Sequence, residues 1–422
     1  MKFGTLLRVS PAAWVAPFAL ALPLLYYVGP GHPPPAETYG YAPTITSYPL
    51  RFAYPFTYAV VSALAAWASG ALKQAHVWEG AYLRSRYHIA ARALFPVLLL
   101  GWLMLILPAA VALIGKRVWP TWDSVSPLAA GLVVCVAHAV IGFLAGRFVP
   151  RVFAAPILAV VTWVAVAFTV TADAPWVRHV SGAFPEQLDF GEAPLWAAIW
   201  PHVAFTGAIA AGLLLAWAPV CQRAVAVATG SAVALAGLFG TYEMVKDYDY
   251  TPPLRNYAVT MRCDHVGTTR VCMPEATAHL LPEADKAVTR VLGDLRARGV
   301  SRSPQRVVDT LPEGRYATEP TETVWRVPLT MAIEREDGAF AVTVAATGMH
   351  CVRPDPLLRR VVTAWAAHVT GTTASWEKLR RSIDRQGVPG DADGELERVL
   401  AMPKSEQAAW FADASQKACR GQ

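Results

Sequence analysis

The sequence predicts an α-helical polytopic membrane bundle of about seven transmembrane helices, followed by a small α+β extracytoplasmic domain. Two observations of composition carry this reading. Of 422 residues, 54% are hydrophobic and only 16% charged, against about 25% charged in soluble domains. The charge is also uneven: residues 1–243 hold 13 Lys and Arg and 8 Asp and Glu, whereas residues 244–422 hold 24 and 23. The net charge of +6 therefore sits mostly in the apolar half. There the basic residues lie between apolar runs, where they set membrane orientation, so nucleic acid is not an expected partner.

Crossing roughly 30 Å of hydrocarbon takes about 20 apolar residues. Seven runs of that kind occur, near 9–30, 53–72, 95–115, 128–146, 152–172, 196–219 and 224–242, and none has Asp, Glu, Lys or Arg in its interior. Tyr26, Tyr27, Tyr54, Trp119, Trp122, Trp176, Trp196, Trp217 and Tyr242 gather near their ends, as expected of rings anchored among headgroups. Lys2 and Arg8 precede the first run as in a signal peptide. The run is long and no small-x-small cleavage site follows it, so it is read as an uncleaved anchor. Removing it would leave the orientation of the rest unchanged. The expected organisation is a transmembrane domain over 1–243, a linker over 244–256 and an extracytoplasmic α+β domain over 257–422.

Orientation follows from counting Lys and Arg in the short connections. One side has Lys2, Arg8, Lys73, Arg84, Arg86, Arg92, Arg147, Arg151 and Arg223; the other has Arg51, Lys116, Arg117 and Arg178. The richer set marks the cytoplasm, so the N-terminus is expected inside the plasma membrane and the segment after the seventh span outside. That segment contains Cys263, Cys272, Cys351 and Cys419, and an even count in an oxidising compartment predicts disulfides. Three pairings are open, and Cys263 with Cys272 and Cys351 with Cys419 is favoured. A turn around Gly267 would bring the first pair face to face, and the second would tie the last helix to the middle of the domain. On the loop-entropy model these closures stabilise by roughly 3 and 4 kcal/mol. His265 and His350 beside two of these cysteines raise zinc as an alternative, but the spacing matches no usual Cys/His ladder. A reactive thiol fits the compartment less well.

Within the outer segment, alternation predicts strands at YAVTMRC, TTRVCM, VWRVPLTMAI and AFAVTVAAT. Apolar residues three or four apart predict a helix over 275–298, with Pro274 in its first turn and Gly299 at its end. Further helices are expected from Pro354 to about His368, over Trp376–Asp384 and over Ser405–Ala418. Strands followed by helices make an α+β domain. Pro252 and Pro253 hold the linker extended.

Motifs for chemistry are lacking. The chain has no G-x-x-x-x-G-K-[ST], no H-E-x-x-H and no G-x-S-x-G. It is not expected to be an enzyme, and nothing implies a cofactor or metal. His138 and His202 are the ionisable groups inside spans, with Cys135 three residues before His138. Intramembrane ionisable groups are often functional, yet with no acid in any span, neutral imidazoles bonded between packed helices is the favoured reading. A catalytic arrangement with Ser231 is the sharper alternative. Gly142 and Gly146, and Gly230, Gly237 and Gly240, read as helix-packing surfaces. The Pro- and Tyr-rich stretch after Pro30, through about Pro55, reads as an outer loop. Asp189 and Glu192 in another outer loop read as solvated carboxylates. The inner stretch from Leu72 to Phe95 mixes Trp78, Tyr82, Ile89 and Phe95 with Arg84, Arg86 and Arg92. That is a basic amphipathic segment, suited either to the membrane surface or to a cytoplasmic partner.

VWEGAYLRSR after the second span, RVCMPEATAHLLPEADKAV and the closing PKSEQAAWFADASQKACR, with the order of spans, give a chain that resembles bacterial ABC-2-type exporter permeases, especially members with a C-terminal extracytoplasmic domain. The resemblance implies a homo- or heterodimeric membrane subunit. It also implies a separate ATP-binding subunit docked on the first inner loop, at Trp78, Glu79, Arg84 and Arg86. Seven spans depart from the six usual in that family. The alternative is a non-transporting sensor or envelope-interaction protein whose outer domain binds a ligand or partner.

Overall fold

The computed structural model describes residues 10–29, 38–80, 85–219, 222–256, 259–315, 318–351, 353–384 and 392–420. Lys2, Arg8 and Arg84 lie outside them. The chain divides into two compact units, Met1–Arg255 and Asn256–Gln422.

The first unit contains seven helices long and apolar enough to cross a membrane, which suggests a multi-pass membrane protein. They are Pro11–Val28 (α1), Ala42–Gln74 (α2), Arg86–Lys116 (α3), Trp122–Ala145 (α4), Arg151–Ala167 (α5, extended to Thr171 by a 3-10 turn), Trp196–Ala216 (α6) and Arg223–Val245 (α7). Helix α2 is the hub, packing against α1, α3, α4 and α5, while α4 passes on to α6 and α6 to α7. In α2, 67% of the apolar stretch is buried, against 17% in α1, α5 and α7. The peripheral helices turn large apolar side chains outward: Trp14 is 80% and Phe18 79% exposed. A lipid-facing surface looks like this; a soluble monomer rarely exposes so much contiguous apolar area.

Helix α2 corrects the expected outer loop. It starts at Ala42, well before the expected edge at 53, and runs through Pro49 and Pro55. Pro43 sits in its first turn, where a missing N–H costs nothing. Thr46 donates both within the helix and across to the Ser124 carbonyl (3.2 Å), so contact with α4 holds the turn-forming sequence helical. Tyr54, expected at a headgroup boundary, is instead buried, stacked 5.8 Å from Tyr58 and donating to the Pro127 carbonyl at 2.9 Å. Arg51, counted in a connection, likewise lies within α2.

Prolines interrupt every span except α7. Each leaves the carbonyl four residues earlier without its helical donor. Hydroxyls fill two of these gaps. Ser126 lies 3.4 Å from the Asp123 carbonyl freed by Pro127, and Tyr248 donates at 3.3 Å to the Ala197 carbonyl freed by Pro201.

Small residues set the helix spacing. A Cβ on Gly142 would lie 2.3 Å from the Ser62 carbonyl oxygen, and one on Gly146 2.5 Å from that of Ala66. The backbones of α2 and α4 therefore meet through these glycines. Gly212 and Gly230 meet reciprocally between α6 and α7, and Gly237 abuts Ala208; Gly240, expected on the same surface, has open space instead. A short pair, Glu192–Pro194 (β1) with Leu254–Asn256 (β2), lies at the opposite end of α4 from Gly146.

In the second unit, Met261–Val266 (β3) and Thr269–Pro274 (β4) form an antiparallel hairpin, to which Arg306–Asp309 (β5) and Val324–Val327 (β6) add in parallel. Gly267 turns the hairpin with φ +61°. This register sets Cys263 directly opposite Cys272, and the two form a disulfide with Cα atoms 4.1 Å apart. Cys351 and Cys419 form the second, across 68 residues.

The helices are Leu281–Ala297 (α8), Leu329–Glu334 (α9), Gly338–Ala346 (α10), Pro356–Val369 (α11), Thr373–Asp384 (α12), Ala392–Leu400 (α13) and Lys404–Lys417 (α14). Two expected strands are corrected. AFAVTVAAT is helix α10, whose buried residues Gly338, Val342, Thr343 and Ala346 recur with helical spacing; its alternation of Phe and Val coincides with an alanine-rich, helix-favouring background. VWRVPLTMAI is strand only to Val327, because Pro328 stops the ladder and α9 follows. Strand β5 and helix α13 form where the sequence pattern marks no element; the four residues of β5, RVVD, are too short to show a period. Val288, Val291 and Leu295 of α8 share the core with Val271, Val307 and Trp325 of the sheet and with Trp365 and Phe411.

Buried Asp309 ties three segments of this unit. It accepts from the N–H of Leu311 (3.2 Å) and Thr330 (3.3 Å) and from the Thr330 hydroxyl. That hydroxyl lies 3.0 Å from the hydroxyl of Thr277. Burial outweighs these donors and raises the Asp309 carboxyl above its ordinary 3.8.

Two outcomes are expected. Gly142→Leu forces α2 and α4 apart and destabilises the solubilised protein by about 1–3 kcal/mol, whereas Gly240→Ala leaves thermal unfolding unchanged. Asp309 binds its proton more tightly in the folded state, so its contribution to stability is greatest at acid pH and is lost as pH rises from about 4 through the raised folded value. Unfolding of the second unit, followed by tryptophan fluorescence across pH 3–8, should show this slope in the wild type and a flatter one in Asp309→Asn.

Candidate functional site

Helices α2, α4 and α6 end on the same side of the bundle, because successive spans run antiparallel. Sequence counting placed basic residues in each of these connections, and the structure gathers several of them around two indoles. Trp78 lies on the short helical turn Val77–Gly80, and Trp217 caps α6. The rings meet edge to face at 5.6 Å. Phe143 of α4 flanks both, and Tyr87 packs on Trp217 at 5.3 Å.

The Arg147 guanidinium lies 5.0 Å from each indole, and that of Arg86 5.6 Å from Trp217. Such contacts are worth about 0.5–2 kcal/mol each, more where water is excluded. Arg86 also donates to the Trp217 carbonyl (3.1 Å), Tyr87 to that of Leu214 (3.1 Å) and Lys73 to that of Arg147 (3.0 Å). Burial, followed by repulsion from Arg86 and Arg223, lowers the pKa of Arg147. A guanidinium still remains charged. Nearby, Arg151 lies 4.8 Å over Trp67, extending the basic rim.

Of the residues expected to meet a partner, Trp78 and Arg86 thus face inward and pin the turn, whereas Glu79 is exposed. Its carboxylate lies 2.9 Å from His76 Nδ1 and raises the pKa of that imidazole. Among the described members of the set, Glu79 is the one that faces outward. From sequence, Arg147 and Trp217 read only as a charge in a short connection and a headgroup ring. Their positions at the ends of the fourth and sixth spans were the available signal.

The two histidines within the long apolar helices occupy separate environments. His138 stacks on Tyr58 at 4.7 Å with Nδ1 3.4 Å from the Ser62 hydroxyl, and its buried Nε2 has no partner among the described residues. His202 is 2% exposed, and neither ring nitrogen has a partner among them. The expected bonding between helices thus holds for one nitrogen of His138 and for none of His202. Cys135 is buried on the same helix. Ser231 is exposed on α7, and the hydroxyl beside His138 belongs to Ser62. At the other end, Glu192 is fully buried rather than solvated, its Oε2 accepting from the Asp189 N–H at 2.8 Å. The tight turn into β1 turns the carboxylate inward. Arg178 and Glu186 pair there at 2.6 Å, as do Arg255 and Asp123 at 2.7 Å. No group of three or more His, Cys, Asp and Glu suited to a metal occurs among the described residues.

Comparison with models of protein families, with curated proteins and with solved structures finds no match to this chain.

Removing the indole that pins the Val77–Gly80 turn has a direct readout. Trp78→Ala loses about 1–2 kcal/mol of ring and cation contact, and cleavage by trypsin after Lys73 in detergent-solubilised protein accelerates about 5–30-fold. Val77→Ala, beside it, leaves the rate near that of the wild type.

Proposed function

We propose that the chain is a multi-pass plasma-membrane protein with a cytoplasmic N-terminus and an extracytoplasmic second unit, and that it works as the permease-like subunit of an ABC-2-type export or resistance system. A separate ATP-binding subunit docks at the Val77–Gly80 turn. The observation that carries the proposal is the convergence of Lys73, Arg86, Arg147 and Arg223 around that turn, with Trp78 anchoring it and Glu79 projecting outward. Cations collected at one end of a bundle favour the cytoplasmic side. A rigid turn anchored to α4 and α6 can pass a push from a docked partner into the helices. The two disulfides support an oxidising compartment for the second unit. Dimerisation through the lipid-facing helices belongs to the same proposal.

A second reading, a non-transporting sensor or envelope-interaction protein, is favoured by a groove in the disulfide-tied unit. The two separate experimentally. Under the first, affinity purification of the full chain from its native membrane retains an ATP-binding protein, and Glu79→Arg reduces its recovery at least tenfold without lowering expression. Absence of any ATP-binding protein from the wild-type eluate overturns the permease reading. Alkaline phosphatase fused after Gln422 is expected to be active; activity of a fluorescent cytosolic reporter there instead reverses the orientation.

A further inference from the structure

The second unit contains a groove of about 620 Å³ whose walls come from four separate segments: the turn after α8, the loop before β6, the residues following α10, and α14. That volume is in the range of small-molecule sites. Two left-handed glycines shape it. Gly299 (φ +82°) closes the turn after α8, and Gly348 (φ +72°) lies so close to Arg302 that a Cβ there would approach Nη2 to 2.9 Å. The Cys351–Cys419 disulfide forms part of the wall and fixes the end of α14 to the segment after α10.

Arg302 is the centre of the polar side. Its guanidinium lies 5.7 Å from the Phe411 ring centroid and donates one hydrogen bond, to the Thr347 carbonyl at 3.3 Å. It makes no ion pair among the described residues. A guanidinium has five N–H donors in a planar fork, and among the described residues most of this fork has no hydrogen-bond partner and borders the groove. Burial lowers the pKa of Arg302, partly offset by the field of Glu322; its charge is incompletely solvated. Arg420 on the rim donates to Gln416 at 3.0 Å. Burial first, and then the field of Arg302, lowers the pKa of His350, which stays a neutral donor or acceptor at neutral pH. Ala408 and Ala412 supply accessible apolar wall, beside the hydroxyls of Ser301 and Ser415, with buried Val300 and Phe411 behind.

We propose that this groove binds a small monoanionic carboxylate with an apolar body, the carboxylate taken by the free edge of the Arg302 fork and the body laid along Ala408 and Ala412. A planar guanidinium matches a carboxylate in a bidentate pair. Glu322 opposes the second charge of a phosphate monoester, which selects a carboxylate over that anion. The shared chemistry is met by a free aromatic or aliphatic acid and by the C-terminus of a peptide. This site is independent of whether the chain transports anything.

The test uses the full chain in nanodiscs with both disulfides confirmed by non-reducing mass spectrometry. Binding of N-acetylphenylalanine, N-acetylphenylalaninamide, phenyl phosphate and a tripeptide ending in phenylalanine is measured by ligand-observed NMR and calorimetry. The acid is expected to bind at least tenfold more tightly than the amide and than phenyl phosphate. Tighter binding of the tripeptide than of the single residue assigns a peptide C-terminus; the reverse assigns a free acid. Arg302→Gln is expected to lose at least tenfold. Ala412→Trp fills the groove at an exposed helical position, leaves Arg302 in place, and is expected to abolish binding with unchanged thermal unfolding. Equal binding of acid and amide, preference for phenyl phosphate, or full affinity in a folded Ala412→Trp protein overturns the proposal.

Discussion

The contact on which the first unit depends is backbone against backbone, between α2 and α4. Where Gly142 and Gly146 press on the Ser62 and Ala66 carbonyls, no side chain separates the two helices. In a lipid solvent, burial of apolar area gives little reason for helices to associate; close packing and hydrogen bonds between them must do it. Several other contacts in the bundle build on this pair. Tyr54 reaches across to the Pro127 carbonyl and Tyr58 stacks on His138, both of α4, while the Tyr58 hydroxyl donates to the Gly182 carbonyl in the connection before α6. Helix α6 packs on the far side of α4 and brings Trp217 to the same end as Trp78.

Much of this was legible in the sequence, and the misses share a cause. Charge-free runs located all seven long helices, because hydrocarbon thickness imposes a length that composition reveals. The start of α2 was missed because proline, tyrosine and threonine signal a loop in water, whereas packing against α4 supplies the partners that hold them helical. In the second unit the hairpin and both disulfides were readable from alternation and cysteine parity. Helix α10 was not, since Phe340, Val342 and Val344 alternate as a strand would while tertiary contacts select the helical face. The sequence marked the basic connections as inner charges. It did not bring Arg147 and Arg86 to the same indole, because that requires knowing which spans are neighbours.

The two candidate sites use arginine in opposite ways. At the end of the bundle, Arg147 and Arg86 spend their charge on aromatic faces and carbonyls of the chain itself, so their role is to hold a turn in place. In the groove, most Arg302 donors have no partner among the described residues. The first arrangement makes a surface mechanically stiff; the second leaves a charge available to a ligand. Both depend on glycine or disulfide constraints that fix the backbone before the side chains act.

The hydroxyl of Tyr248 gives the break at Pro201 a further meaning. Proline in α6 makes a natural point of bending, and the Ala197 carbonyl released there is caught by a residue on the strand of chain leaving α7. A few residues on, Tyr250 fastens the same exit strand to the Asp173 carbonyl. Flexing of α6 thus cannot proceed without tugging or releasing that strand. A defect in one helix becomes a latch on the route by which the polypeptide leaves the bundle.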